Sequence, residues 1–331
     1  MVFTLARATP PSVLLVVLAA LPALPTPLYP QQSSGGIAVL NQDQSGSIAA
    51  SRAELLAMTP QWKGERFADG RPKLPDTLLE RMKAVKIAHA WGVLRAHGYH
   101  YQFEGGWKIL HPDRPFVGRA MTAAYLPSRP DLEEHVLRIG KAENRLGRPN
   151  SWPIDMLQRG DVYVADGFSK VIDGTLIGDN LGAAIFARTG NGVVFDAGAR
   201  KRDGLLQIEG FNALVRDWDP SEIKGVLLSS INRPIRIGHA IVLPGDIIMV
   251  RYEGMLAIPV HLAEEVVTTG EILLIKDEFG HRRLRERRYT PGQIDSPWTP
   301  EIRADFFEWY KGRKNNPPIP RKEFEKVLDM T

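Results

Sequence analysis

The chain has 331 residues, 44% of them hydrophobic and none of them cysteine, so it can bury a sizeable core but holds no disulfide, Cys-ligated zinc or cysteine nucleophile. Its 42 Lys and Arg residues exceed its 38 Asp and Glu residues by 4, and residues 281–288 alone supply that excess. A nucleic-acid-binding surface carries its basic excess across a face. We therefore predict no nucleic-acid partner and interpret residues 281–288 as a solvated basic connector.

The N-terminal region has the pattern of an export signal. Arg7 precedes an apolar stretch at residues 13–24, which fits a signal-peptide core and is shorter than the ~20 residues of a membrane span. We predict a signal peptide over residues 1–26, a periplasmic or secreted location, and no stable membrane span. Residues 27–75 begin with a segment rich in Pro, Gln, Ser and Gly and are predicted to be a linker.

The middle of the chain alternates between helical and strand patterns. Residues 76–97 carry apolar side chains at helical spacing, which predicts a helix. Beyond residue 115, short apolar runs broken by Gly, Asp and Pro predict a mixed sheet with helices between some strands, hence an α/β domain over residues 76–275. Residues 276–331 are predicted to form the basic connector and a helical extension with aromatic side chains that must dock. The predicted strands are 162–165, 193–195, 226–228, 247–250 and 256–258, and the helices within the domain are 181–188 and 260–268.

Residues 174–200 contain the candidate site. The predicted helix at residues 181–188 starts within this segment. The start of a helix presents free backbone N–H groups and the positive end of the helix dipole, which together favour binding of an anion. The strand and glycine turn that follow deliver an Arg, whose planar guanidinium can bind a carboxylate held by those N–H groups. The residues therefore predict a small-carboxylate site, with ordinary connection glycines as the alternative. The predicted carboxylate-binding residues are Gly178, Asp179, Asn180, Leu181 and Arg200.

Two motifs in this segment resemble a known family. Gly-Asp-Asn-Leu at 178–181 followed by Val-Val-Phe-Asp-Ala-Gly-Ala-Arg at 193–200 is similar to the paired motif of the RraA-like family. That family includes regulator of ribonuclease activity A and the 4-hydroxy-4-methyl-2-oxoglutarate aldolases. The likeness extends over roughly residues 77–270. It implies a compact layered α/β/β domain of the swivelling type, assembled as a homotrimer or as a hexamer of two trimers with sites at subunit interfaces.

The resemblance also implies a chemistry. In family aldolases the positions matching residues 178–181 and Arg200 bind the pyruvyl carboxylate, and an Asp directly after that Arg holds a divalent metal. The implied function is a metal-dependent (class II) aldolase or lyase that cleaves or decarboxylates a 2-oxo acid to release pyruvate, with Mg²⁺ or Mn²⁺ as Lewis acid. Arg200 and Asp203 are the predicted catalytic residues. The candidate metal ligands are Asp203, Asp179 and Glu253, the last from a neighbouring subunit.

This sequence departs from the family at the metal position, where Lys201 follows Arg200. Trp91 stands where many relatives carry a Ser-Asp motif on the first helix. Arg251 stands where relatives carry an acidic residue in the closing hairpin. The alternative function is a catalytically degenerate RraA-like oligomer that acts by binding or regulation, and a third hypothesis uses Lys201 as a Schiff-base amine. Convergence of the candidate carboxylates would favour the metal enzyme, whereas an ion pair between Lys201 and Asp179 or Asp203 would disfavour it.

Overall fold

The computed structural model describes residues 46–330, and every structural statement below concerns that range. The strands are β1 (Phe103–Glu104), β2 (Lys108–Ile109), β3 (Phe116–Pro127), β4 (Asp161–Thr175), β5 (Val193–Ala199), β6 (Ala213–Trp218), β7 (Val226–Ile231), β8 (Ile235–Ile237), β9 (Ala240–Val242), β10 (Ile247–Arg251) and β11 (Gly254–Ile258). The helices are α1 (Arg52–Met58), α2 (Asp76–Met82), α3 (Ile87–Ala96), α4 (Pro130–Ala142), α5 (Trp152–Asp155), α6 (Asp179–Thr189), α7 (Arg202–Leu206), α8 (Ala263–Arg285), α9 (Pro291–Ile294), α10 (Pro300–Gly312) and α11 (Arg321–Met330).

The main sheet is mixed, which confirms the predicted α/β fold. Its strand order is β1-β11-β10-β3-β4-β5-β6-β2, and β7 pairs with the second half of β3 beyond the end of β10. Strands β3, β4, β5 and β6 are parallel, while the other pairings in this sheet are antiparallel. Two-stranded β8–β9 forms a separate hairpin.

Alternating side chains of the parallel strands separate two apolar layers. In β5, Val193 and Phe195 face a cluster formed with α4 to α7, whereas Val194 faces the β8–β9 hairpin. This is the two-residue period of a strand buried on both faces. The domain is therefore a stack of helices, sheet and hairpin, in agreement with the layered fold that the family resemblance implies.

The connection from β4 through α6 to β5 positions the candidate site. Parallel strands joined by a crossover helix place the start of that helix at the carboxyl end of the first strand. The second strand ends at the same edge of the sheet, where ligands bind in open α/β sheets. Helix α6 begins after Gly178 and ends at Gly190, whose φ of 65° is the left-handed conformation of a helix C-terminus.

Residues 46–75 belong to the folded domain, which corrects this part of the linker predicted over residues 27–75, whereas residues 27–45 lie outside the described residues. Ser51 and Glu54 form a capping box that starts α1, and Leu55 on that helix is fully buried. The buried Arg71 donates to the Asp161 carboxylate at 3.0 Å, which ties this segment to the start of β4. The composition of this region suggested a linker, and a single capping motif is too weak a signal to indicate a helix by itself. The predicted signal peptide at residues 1–26 lies outside the described residues and stays a prediction.

The C-terminal region also differs from its predicted form. Helix α8 continues to Arg285, so most of the basic run at residues 281–288 is helical rather than a connector, although most of its side chains are exposed as predicted. Arg283 is 8% exposed and donates to both carboxylate oxygens of Asp305 at 2.7 and 2.6 Å. Helix α10 docks its aromatic side chains on α8, as expected, and α11 completes this cluster. The single predicted helix at residues 76–97 is broken into α2 and α3.

No helix within residues 46–330 is long and apolar enough to cross a membrane.

A buried carboxyl group gives the fold a predictable pH dependence. Asp246 is 5% exposed before β10 and accepts a hydrogen bond from the Leu243 backbone N–H at 2.8 Å. Burial raises the pKa of Asp246 from 3.8 to about 7. Because the folded state then holds a proton that the unfolded state has released, the stability contribution of Asp246 falls as the pH rises from 3.8 to about 7 and levels off above that pH.

We expect Asp246→Asn to remove this dependence while keeping an oxygen acceptor for Leu243. Between pH 5 and pH 8, the free energy of unfolding of the native chain should fall by roughly 2–3 kcal/mol relative to the variant. Urea denaturation of both proteins at the two pH values measures the difference. Equal pH dependence in the two proteins would contradict the assignment.

Candidate functional site

A cavity of about 310 Å³ lies at the carboxyl ends of β4 and β5, in front of the start of α6. The structure brings all the sequence-predicted carboxylate-binding residues to its walls, together with Lys201. Its lining is Arg148, Asn150, Ser151, Thr175, Leu176, Ile177, Gly178, Asp179, Asn180, Leu181, Arg200, Lys201, Glu222 and Ile223. The cavity lining therefore combines several charged side chains with apolar ones.

The start of α6 presents backbone donors to this cavity. The helix has no side-chain cap, and its first internal hydrogen bond runs from Gly182 N–H to the Gly178 carbonyl at 2.9 Å. The N–H groups of the three residues before Gly182 therefore have no carbonyl acceptor in the helix. The Asp179 carboxylate accepts from Asn180 N–H at 2.9 Å. The Asp179 backbone N–H also interacts with this carboxylate, so the Leu181 N–H is the donor left to face an incoming anion.

Two glycines shape the surroundings of this helix start. A Cβ on Gly178 would lie 3.4 Å from Arg200 Cγ and 3.5 Å from Lys201 Cδ, so both cationic stems pass over the beginning of α6. Gly182 shapes the packing of the helix. A Cβ there would lie 2.3 Å from Leu205 Cδ2, so this glycine permits the packing of α6 against α7.

Arg200 reaches the cavity from the end of β5. Its backbone N–H donates to the Ile177 carbonyl at 3.0 Å, which fixes the residue beside the strand-to-helix connection. Its side chain is 32% exposed, and Nη1 lies 3.9 Å from Glu222 Oε1. Because this separation exceeds a hydrogen bond, the donors of the guanidinium remain available to a ligand carboxylate.

Lys201 forms an ion pair at the position of the family metal ligand. Its Nζ lies 2.9 Å from Asp179 Oδ1, and both side chains are partly exposed. The hydrogen bond from Lys201 is the largest cause that holds the pKa of Asp179 below its ordinary value. Lys201 itself adopts the left-handed conformation, with φ 52° and ψ 48°. Its 48% side-chain exposure lacks the burial that Schiff-base lysines use, so the geometry gives no support to the third hypothesis.

The other candidate metal ligands, Asp203 and Glu253, do not line the cavity of this chain. Asp203 is exposed on α7 and does not line the cavity. Glu253 is exposed in the turn between β10 and β11. Strand β10 is separated from β5 by β3 and β4, which places it about 14 Å away across the sheet. One chain therefore does not bring Asp203, Asp179 and Glu253 together.

The remaining departures from the family pattern are also remote from this cavity. Trp91 stacks on Phe103 with ring centroids 5.5 Å apart. Arg251 donates to the carbonyls of Lys83 and Val85 at the end of α2. Within one chain, Lys201 is thus the only one of the three departures that changes the cavity itself.

Sequence reasoning missed two charged residues of the cavity, Arg148 and Glu222. Arg148 Nη1 lies 3.8 Å from Glu222 Oε2, on the other side of that carboxylate from Arg200. The two residues come from loops far apart in the chain and belong to no recognisable motif. Only the topology brings them to the site.

These features define a mixed α/β domain with a polar cavity at the carboxyl ends of parallel strands. The model of the RraA-like family, described as Aldolase/RraA, matches residues 79–275, which is more than half of the chain. The protein belongs to the RraA-like family, whose members include both aldolases and regulatory inhibitors.

Two solved structures illustrate the likeness. An uncharacterized protein from Pseudomonas syringae pv. tomato is 20% identical with a TM-score of 0.56, over 70% of this chain and 98% of that chain. Streptomyces coelicolor RraAS2, described as an unusual member of the RNase ES inhibitor RraA protein family, is 21% identical with a TM-score of 0.54, over 64% and 100%. At these identities the two structures establish the fold and leave the activity open.

The side chains of this cavity do not fit the Mg²⁺ or Mn²⁺ that the family resemblance implies. Hard divalent cations need several oxygen ligands, and an ammonium group repels them. Here the Asp179 carboxylate is bound to Lys201. Within residues 46–330, no group of three or more His, Asp or Glu residues is arranged to hold a metal. Over that range, the cavity of one chain therefore lacks the oxygen ligands that a metal-dependent step requires.

Proposed function

We propose that this chain is an RraA-like homo-oligomer that binds a small 2-oxo acid without a metal and acts as a binding or regulatory protein. The observation that carries the proposal is the 2.9 Å ion pair between Lys201 Nζ and Asp179 Oδ1. It places a protein cation beside the start of α6, where family aldolases hold a metal. The ligand carboxylate would bind the free N–H group at the start of α6 and the Arg200 guanidinium.

Lys201 has donor capacity left for the ligand. An ammonium group carries three donors, of which the Asp179 carboxylate accepts one. A second donor can interact with the 2-oxo oxygen of an acid whose carboxylate lies on Arg200. The apolar residues Ile177, Leu181 and Ile223 line the same cavity and offer contacts to the alkyl part of the acid.

The second candidate function is the metal-dependent lyase that the family resemblance implies. The retained carboxylate-binding elements, residues 178–181 and Arg200, favour it. It requires Lys201 to leave Asp179 and further oxygen ligands to come from Asp203 or from Glu253 of a neighbouring copy. The proposed binding function needs neither rearrangement.

The proposal predicts that ligand binding is independent of divalent metal. Isothermal titration of the full chain with 2-oxopentanoate should give the same Kd within about twofold in EDTA and in millimolar Mg²⁺ or Mn²⁺, because the carboxylate contacts come from the protein alone. Pentan-2-one, which keeps the ketone and lacks the carboxylate, is the matched control and should not bind. A tenfold or greater tightening by metal that EDTA reverses would support the lyase instead.

A further inference from the structure

Glu222 occupies an unusual place at the mouth of the cavity. Its two carboxylate oxygens lie 3.9 Å from Arg200 Nη1 and 3.8 Å from Arg148 Nη1. The side chain is 65% exposed, and both separations exceed a hydrogen bond. The chain thus places its own carboxylate between two guanidinium groups without forming tight ion pairs.

The backbone around Glu222 is held firmly to β4. The Ser221 hydroxyl accepts from Asp173 N–H at 2.7 Å, and the Ser221 carbonyl accepts from the Thr175 hydroxyl at 2.6 Å. On the other side, Lys224 N–H donates to the Asp173 carbonyl at 2.8 Å. These bonds fix the backbone on both sides of Glu222, so its side chain always starts from the same place at the lining of the cavity.

We propose that Glu222 fills a second anion subsite between Arg148 and Arg200 and thereby restricts the cavity to monocarboxylic 2-oxo acids. This inference rests on the proposed function, in which Arg200 and the start of α6 hold the first carboxylate. A ligand with a second carboxylate would meet Glu222 at the position where Arg148 could otherwise receive it. Repulsion between like charges at close range then disfavours the diacid.

The charges of the cavity agree with this restriction. Lys201 is bound to Asp179, which leaves Arg148, Arg200 and Glu222 as the other charged groups of the lining. Glu222 offsets one of the two guanidinium charges, so the cavity retains one positive charge for one ligand carboxylate. Without the Glu222 charge, the same cavity would offer two guanidinium groups to a diacid.

The test compares two five-carbon acids that differ only at C5. 2-Oxopentanoate ends in a methyl group and 2-oxoglutarate in a carboxylate. By isothermal titration in EDTA, the native chain should bind 2-oxopentanoate at least tenfold more tightly than 2-oxoglutarate. In Glu222→Gln, the affinity for 2-oxoglutarate should rise at least tenfold, and adding Arg148→Ala should remove that gain. Glu134→Gln, at an exposed position of α4, is the matched control and should retain the native preference.

Three results would overturn the inference while leaving the proposed function in place. They are equal affinity of the native chain for both acids, an equal gain for both acids in Glu222→Gln, and a diacid gain that survives Arg148→Ala. Failure of every variant to bind either acid would overturn the proposed function, and this inference with it.

Discussion

Arg200→Ala is expected to weaken the binding of 2-oxopentanoate about 100-fold. The substitution removes the planar pair of donors that faces the ligand carboxylate, and a lost charge-assisted contact of this kind costs about 2–3 kcal/mol. Arg200→Lys keeps the charge and loses the bidentate geometry, so its affinity should lie between those of the native chain and Arg200→Ala. Isothermal titration in EDTA measures all three proteins.

The matched control for this prediction lies on the same helix as the carboxylate donors. Arg188, near the far end of α6, pairs with Asp155 at 3.0 Å and does not line the cavity. Arg188→Ala should bind the ligand with native affinity. An Arg200→Ala affinity within threefold of native would show that the carboxylate does not bind at this guanidinium.

Lys201→Asp is expected to give the cavity an affinity for Mn²⁺ that the native chain lacks. The change removes the ammonium from Asp179 and adds a second carboxylate beside it, and hard cations bind such oxygen pairs. The backbone should tolerate the substitution, because Asp adopts the left-handed conformation of residue 201 more readily than most residues. We expect at least a tenfold difference in Mn²⁺ affinity between this variant and the native chain.

Lys201→Asn separates the two effects of that substitution. It removes the ammonium and suits the same backbone conformation, but it adds no negative charge. Its Mn²⁺ affinity should fall at least tenfold below that of Lys201→Asp. Equal affinity in the two variants would mean that Lys201 acts only by repulsion and that residue 201 supplies no ligand.

Local patterns in the sequence predicted strands β4, β5, β7, β10 and β11 but missed others, among them β6, and they placed the candidate carboxylate-binding segment at the start of a helix. Two short-range signals are the strand–helix–strand pattern of β4, α6 and β5 and the glycines near α6. They allowed the start of α6 and Arg200 to be predicted as parts of one candidate site. The capping box at Ser51 and the continuation of α8 through its Arg residues were missed, because composition suggested solvated chain in both places.

The parts of the site that could not be predicted depend on long-range topology. Arg148 and Glu222 approach each other only because their loops end at the same edge of the sheet. Likewise, the sequence showed Lys201 at the metal position but could not show its partner. The ion pair with Asp179 requires the left-handed turn at residue 201 and the space that Gly204 leaves, since a Cβ there would lie 2.8 Å from Asp179 Cβ.

The most direct test of a metal-free cavity is a Mn²⁺ titration of the native full chain, followed by electron paramagnetic resonance of the free ion. Because Lys201 occupies the Asp179 carboxylate, the native chain should leave the free-ion signal unchanged up to millimolar Mn²⁺, while Lys201→Asp should reduce it. Binding of Mn²⁺ by the native chain at micromolar concentration, lost in Asp179→Asn, would contradict the account and restore the metal-dependent lyase as the leading function.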